Sequence, residues 1–309
     1  MSTLRISVII CTHNPRTDYL ARVLEALRSQ TLPLRQWELL VVDNDSEAPL
    51  SGLVDLTWHP NGRHVREDDL GLISARMRGV SEAHAALLIF VDDDNVLDES
   101  YLDAALQIEN DYPFLGAWGG NIRAEFEIEP ARWMLPHLGN LAIRTCRTPT
   151  WSNDMESGLS RPCGAGLCIR AKVARCHLRN LRDDPVRRQY GRRGTSLLSG
   201  EDIDLTYTAA DFALGWGNFP SLSMIHLIPP WRLAPAYMLR LIEGIRTTET
   251  AMALKRGWRV AAPRSPFRLV LRFILVFLRN GLWAARVAAA CERGLVAGHR
   301  LAANEFGEI

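Results

Sequence analysis

The chain carries no excess of charge of either sign: 36 Lys and Arg stand against 35 Asp and Glu in 309 residues. A protein that binds nucleic acid over much of its surface needs a clear basic surplus, so that class is excluded for the chain as a whole. Cysteine is sparse too. The six thiols form no Cys-x-x-Cys pair, which removes the disulfide-scaffold class and suits reduced thiols in a cytoplasmic protein. There is no internal repeat and no low-complexity segment. No uncharged run approaches the roughly 20 residues that span a bilayer, so no transmembrane helix is expected. The first apolar run has neither a basic leader nor a small-residue cleavage site, and reads as a buried strand rather than a signal peptide.

What is present is the composition of a globular protein, 47% hydrophobic and 23% charged, long enough for one large core with an appendage. Arg5 to Cys11 is a β-branched run that ends in Thr12-His13-Asn14-Pro15, after which Tyr19, Val23, Leu24 and Leu27 recur at helical spacing. Two more apolar runs, Trp37 to Val42 and Ala86 to Val91, end in Asp43-Asn44-Asp45-Ser46 and Asp92-Asp93-Asp94-Asn95, with a helical stretch from Gly71 to His84 between them. Strands alternating with helices predict an α/β fold with a mostly parallel sheet between helices. Ligands of such sheets bind beyond the carboxyl ends of the strands, where all three runs deliver polar or acidic residues. No Gly-x-Gly-x-x-Gly follows the first run, which disfavours a dinucleotide site. Further on, Ser199-Gly200-Glu201-Asp202-Ile203-Asp204-Leu205 opens a helix to about Leu214, and beyond Pro229-Pro230 only helices are expected.

Three adjacent carboxylates at Asp92, Asp93 and Asp94 repel one another unless cations or hydrogen-bond donors offset them. A hard ion such as Mg²⁺ or Mn²⁺ does so with one or two protein carboxylates plus substrate phosphate oxygens. The same triplet would also serve as an acidic cap for the next helix. The Glu201-Asp202 pair has the same two readings, a helix-start pair or a base that takes a proton from an attacking hydroxyl.

Six segments in order resemble family 2 glycosyltransferases: SVIICTHN at 7–14, ELLVVDNDS at 38–46, GLISARMRG at 71–79, LLIFVDDDN at 87–95, GAGLCIR at 164–170 and SGEDIDL at 199–205. The resemblance implies the nucleotide-diphospho-sugar transferase fold called GT-A over residues 1–228, with a helical extension over 229–309. It implies that Thr12 and Asp43 hold the nucleotide and that Arg76 lies near the nucleotide and diphosphate. Asp94 matches a direct metal ligand and Asp92 a ribose or metal partner, the two ends of a DxD motif. Asp202 matches the catalytic base, while Asn14, Asp93 and Glu201 complete the donor side. His226, in the apolar stretch Met224 to Ile228, reads either as a core histidine or as a further metal ligand. The implied reaction is an inverting transfer from a nucleoside diphosphate sugar, UDP- or GDP-linked, to a saccharide or lipid-linked saccharide, with Mn²⁺ or Mg²⁺ as cofactor.

His13 and Met77 depart from the residues common in that family, and no Gln-x-x-Arg-Trp follows the Glu-Asp pair, which disfavours the processive branch. A nucleotidyltransferase of similar fold would carry a Gly-rich basic loop where Cys11 to Pro15 stands. A non-catalytic sugar-nucleotide-binding subunit is the remaining alternative. Trp118, Trp133, Trp151, Trp216 and Trp231 are core residues or flat faces for sugar rings.

Charge is segregated along the chain. Arg170 to Arg193 holds nine basic and two acidic residues, and Arg264 to Arg300 holds seven arginines and one glutamate, so the remainder is acidic. The first stretch suits a diphosphate or a phosphorylated acceptor. In the second, Arg272, Arg279, Arg286, Arg293 and Arg300 recur every seven residues within an apolar helix. That helix either lies peripherally on an anionic membrane, at its cytoplasmic face, through residues 264–301, or packs on the body or on another subunit in a homo-oligomer.

Overall fold

The computed structural model describes residues 4–156 and 158–303. In chain order its elements are β1 (Ile6–Thr12), α1 (Thr17–Arg28), β2 (Trp37–Asn44), β3 (Gly62–Glu67), α2 (Leu72–Glu82), β4 (Leu87–Val91), β5 (Asn95–Leu97) and α3 (Tyr101–Asp111). There follow β6 (Leu115–Phe126), β7 (Thr150–Ser152), β8 (Cys168–Arg170), α4 (Ala171–Asp183), α5 (Glu201–Tyr207), β9 (Gly215–Ile228), α6 (Pro235–Lys255) and α7 (Pro266–Ala302). The three β-branched runs become β1, β2 and β4, because a strand buried on both faces needs apolar residues at every position rather than at alternate ones. β1 shows this directly: Ile6, Val8 and Ile10 face one core with α1 and α3, and Ile9 faces the other with α2 and α4.

The strands form one sheet in the order β3-β2-β1-β4-β8-β6-β9-β5, with β7 on β9. The expected parallel pairing holds for β3-β2-β1-β4. Beyond β4 the sheet is mixed, since β8 is antiparallel to both β4 and β6 while β6 and β9 run parallel. The two halves meet at β4, whose carboxyl end carries the acidic triplet. α1 is held by Tyr19, Leu20, Val23 and Leu27 on one buried stripe, with Asp18 in its first turn and Arg28 in its last, the charge order that favours the helix dipole.

α6 and α7 do not stand apart from the sheet: Ala251, Met252 and Leu301 share the core that contains Ile9 and Leu40. α7 is broken at Gly281, whose φ of 83° and ψ of 176° leave the helical region. A positive φ of this kind is open to glycine at little steric cost. The half after the break is pinned by Trp283, packed at a tilt of 50° against Trp133 with ring centroids 4.1 Å apart, and by Glu292, which accepts from Arg264 at 2.6 Å. No transmembrane helix is expected from the sequence, yet α7 contains a stretch of 18 residues apolar enough, by length and composition, to cross a bilayer. Counting uninterrupted uncharged residues missed it, since two arginines are diluted among apolar neighbours.

Candidate functional site

A cavity of about 500 Å³ opens at the carboxyl ends of β1 and β4. It gathers Thr12, Arg76, Asp92, Asp93, Asp94, Glu201, Asp202 and His226 from five separate segments. Asp43 and Asn14 are not in its lining. Asp43 is a buried turn anchor whose carboxylate accepts from Ser46 N and Leu50 N, both at 3.1 Å, and from Arg66 Nη1 at 2.9 Å. Asn14 braces the same loop by accepting from Glu47 N at 2.9 Å.

Arg76 joins the two acidic groups. It is 6% exposed, with Nη1 3.2 Å from Glu201 Oε1 and Nη2 3.6 Å from Asp92 Oδ1. Burial alone would lower its pKa, but Glu201, Asp92 and Asp202 more than offset this and raise it. Glu201 is raised as well, by burial and by the neighbouring Asp202 charge, against the pull of Arg76. Asp202 is fixed by two backbone donors, Gly164 N at 2.7 Å and Ile203 N at 2.9 Å. Gly164 has no room for a side chain, since a Cβ there would lie 2.9 Å from Arg76 Nη2 and 3.0 Å from Asp202 Cβ.

Within the triplet the three carboxylates have different partners. Thr12 Oγ1 donates to Asp93, and burial together with the adjacent Asp94 charge pushes the Asp93 pKa up. Asp94 goes the other way. Burial would raise it, yet the Arg232 guanidinium holds it well below the usual carboxylate range. β5 pairs antiparallel with β9 so that Asn95 lies opposite His226, which brings the imidazole to the triplet from 130 residues away in the chain.

The hydrogen bonds of His226 indicate its tautomer. Nδ1 lies 2.9 Å from Leu141 O, an acceptor only, so it carries the proton. Nε2 then presents a lone pair, which accepts from Arg232 Nη1 at 2.8 Å and faces Asp94 Oδ2 at 3.4 Å. Arg232 Nη2 is 2.9 Å from the same carboxylate oxygen. A neutral imidazole with a backbone-fixed Nδ1–H, beside an ionised carboxylate, is a donor set suited to a divalent cation. Here a guanidinium meets both donor atoms. No group of three His, Cys, Asp or Glu side chains gathers as a metal cluster among the described residues. Two such donors would leave the other coordination positions of an ion to substrate oxygens.

Arg232, Arg144, Arg161 and Tyr237, which the sequence did not single out, also line the cavity. Arg192 and Arg193 are the part of the basic stretch 170–193 that reaches it. Other members of the stretch are engaged elsewhere, Arg170 with Glu109 and Arg187 with Asp204. Arg232 Nε and Tyr237 Oη are buried at the cavity wall without a hydrogen-bond partner among the described residues. Unpaired buried donors of this kind are costly until a ligand meets them. Of the five tryptophans, Trp118 and Trp216 are fully buried core residues, while Trp151 and Trp231 are about half exposed.

Known proteins resemble this chain in both sequence and fold. Over 129 residues it is 26% identical to the putative glycosyltransferase EpsH of Bacillus subtilis (strain 168), covering 41% of this chain and 36% of that protein. Over 101 residues it is 32% identical to the glycosyltransferase AglE of Haloferax volcanii, covering 32% of this chain and 33% of that one. The matches thus span about a third of the length of these relatives. The fold is shared with a mannosyltransferase from Pyrobaculum calidifontis, solved in complex with GDP-Man and Mn²⁺, at 19% identity and a TM-score of 0.58 over 99% of this chain and 77% of that one. The architecture is accordingly of the GT-A type, with a C-terminal helical extension. The sequence model of the family described as Glycosyl transferase family 2 matches residues 7–168, and with the acidic and arginine-lined cavity at the strand ends, the chain belongs to that family of glycosyltransferases.

Proposed function

We propose that the chain is a metal-dependent, inverting glycosyltransferase that moves a sugar from a nucleoside diphosphate to a saccharide or lipid-linked saccharide. The observation that carries this reading is Arg76, which ties the Asp92 end of the triplet to the Glu201-Asp202 pair across one cavity. Donor-binding and proton-accepting groups are thereby held beside one cavity. Mn²⁺ or Mg²⁺, taken up between Asp94 and His226 Nε2, would offset the charge of the departing diphosphate. Arg192 and Arg193 supply positive charge along the same wall.

Asp202 acts as the base. Its two oxygens are oriented by Gly164 N and Ile203 N, which leaves lone pairs free to accept the proton of an acceptor hydroxyl as that oxygen attacks the anomeric carbon. The bond from that carbon to the diphosphate oxygen breaks on the opposite face, so the configuration inverts. Thr12 and Asp93 position the nucleotide end of the donor, with Asp43 and Asn14 shaping the loops behind them. The donor is a UDP- or GDP-sugar, in agreement with the GDP-Man and Mn²⁺ of the similarly folded mannosyltransferase.

The test is release of nucleoside diphosphate from candidate sugar nucleotides by purified protein with Mn²⁺, with and without oligosaccharide acceptors. Acceptor-dependent release that falls by about 10²–10⁴-fold in Asp202→Asn, with donor affinity kept, is the expected result. Donor binding without acceptor-dependent release would indicate the binding subunit instead.

A further inference from the structure

The half of α7 that precedes Gly281 is an apolar helix with almost nothing packed on its outer side. Phe267 is 77% exposed, Leu278 72% and Val270 61%, and Leu271, Ile274 and Phe277 are also exposed. Such a patch is rarely left bare in water unless it has a partner. At about 100° per residue, Arg268, Arg272 and Arg279 fall within roughly 40° of one another, beside an apolar arc and not opposite it. No carboxylate lies within ion-pair distance of these three arginines among the described residues, since Glu292 is taken by Arg264 and Glu243 by Arg293. Residues 250–291 contain eight Lys and Arg and no Asp or Glu.

We propose that residues 266–280 are a docking helix that lies in the plane of an anionic lipid bilayer. Its phenylalanine and leucine side chains enter the acyl boundary, and its arginines reach the headgroup phosphates. Charge decides between a bilayer and a second copy of the chain. A symmetric dimer through this face would bring two like-charged arginine stripes together with no acid to pair them, whereas anionic headgroups complement the stripe.

Length decides between lying and spanning. Fifteen residues cover about 22 Å against a hydrocarbon core of about 30 Å. The only stretches of 18 residues in α7 with two charges or fewer fall within 273–291, where they cross the break at Gly281 and include Ala285 and Ala290, which are buried against the body. The half after Gly281 is fixed by Trp283 against Trp133, and Glu292 ties it to Arg264 just before the start of the docking helix, so the helix is held at both ends.

The experiment is flotation of the purified full chain with phosphatidylcholine vesicles, with and without phosphatidylglycerol. The expected result is binding to the anionic vesicles that is at least about tenfold weaker without phosphatidylglycerol and in high salt. Two variants, Phe277→Glu/Leu278→Glu and Arg268→Gln/Arg272→Gln/Arg279→Gln, should each lose it while keeping the wild-type circular dichroism. Protein that stays in solution with anionic vesicles, or that binds both vesicle types equally, overturns the proposal. So does a dimer in size-exclusion chromatography that the Phe277→Glu/Leu278→Glu variant dissociates. The docking surface is independent of the cavity's chemistry, so vesicle binding and turnover fail separately.

Discussion

Removing the Arg232 guanidinium should make the stability of this fold depend on a divalent cation. The side chain is 15% exposed, Asp94 is 7% exposed, and Arg232 is the only arginine or lysine within ion-pair distance of Asp94 among the described residues. Breaking a buried pair by deleting one member leaves an uncompensated charge and costs about 3–5 kcal/mol. Asn95 Nδ2 still donates to Asp94 at 2.8 Å, so Arg232→Met should fall near the lower end. At roughly 2 °C per kcal/mol for a chain of this size, that is a drop of about 6 °C in melting temperature. Vacating the guanidinium also frees His226 Nε2 and Asp94 Oδ2 together. Mn²⁺ at about a hundred times its dissociation constant returns about 2.7 kcal/mol, which restores most of the loss. In the wild type the same ion must displace Arg232 first, so Mn²⁺ without nucleotide should shift the melt much less. Thermal denaturation of both proteins across a Mn²⁺ titration measures this. An Arg232→Met protein as stable as the wild type without metal, or one that gains no more from Mn²⁺ than the wild type does, refutes the reasoning.

Gly164→Ala places a methyl group against Arg76 Nη2 and the Asp202 Cβ, so turnover should fall by roughly tenfold to a hundredfold through misplacement of both groups. Steady-state kinetics beside circular dichroism separates that from unfolding. Glu38 is 2% exposed in β2 and accepts from Ser7 Oγ at 2.6 Å, His84 N at 2.7 Å and Arg63 Nη2 at 3.1 Å. Burial would raise its pKa, but these donors outweigh it and hold the carboxyl below its ordinary 4.5. Its stabilisation is therefore fully present above about pH 4.5 and is lost as pH falls through the lower folded-state pKa. Glu38→Gln should cost about 1–3 kcal/mol in urea at neutral pH, with a gap to wild type that narrows in acid.

The three doubly buried strands were legible because their burial demands unbroken apolar runs, and the acidic residues that end them marked the site. The short strands β5 and β7 were not, since three residues carry no periodicity. Arg232 was hidden for a different reason. It follows Pro229-Pro230, where the sequence reads only as the start of a helical extension, and its meaning depends on β9 carrying His226 back to Asp94. Asp43 carries a structural role that its place at a strand end does not reveal. Ser46, Leu50 and Arg66 meet its oxygens and anchor the loop that follows β2. The heptad spacing of arginines along α7 was visible, but the break at Gly281 was not, because one glycine among helix formers is compatible with a continuous helix.

The central claim is that the triplet and His226 bind a nucleoside diphosphate together with a divalent cation. Titration calorimetry of UDP and GDP, with and without Mn²⁺, into wild type and Asp94→Asn tests it most directly. The expected result is binding of one of the two that requires Mn²⁺ in the wild type and is lost in Asp94→Asn. Binding of neither in the presence of Mn²⁺, or metal-independent binding that Asp94→Asn leaves unchanged, would contradict it.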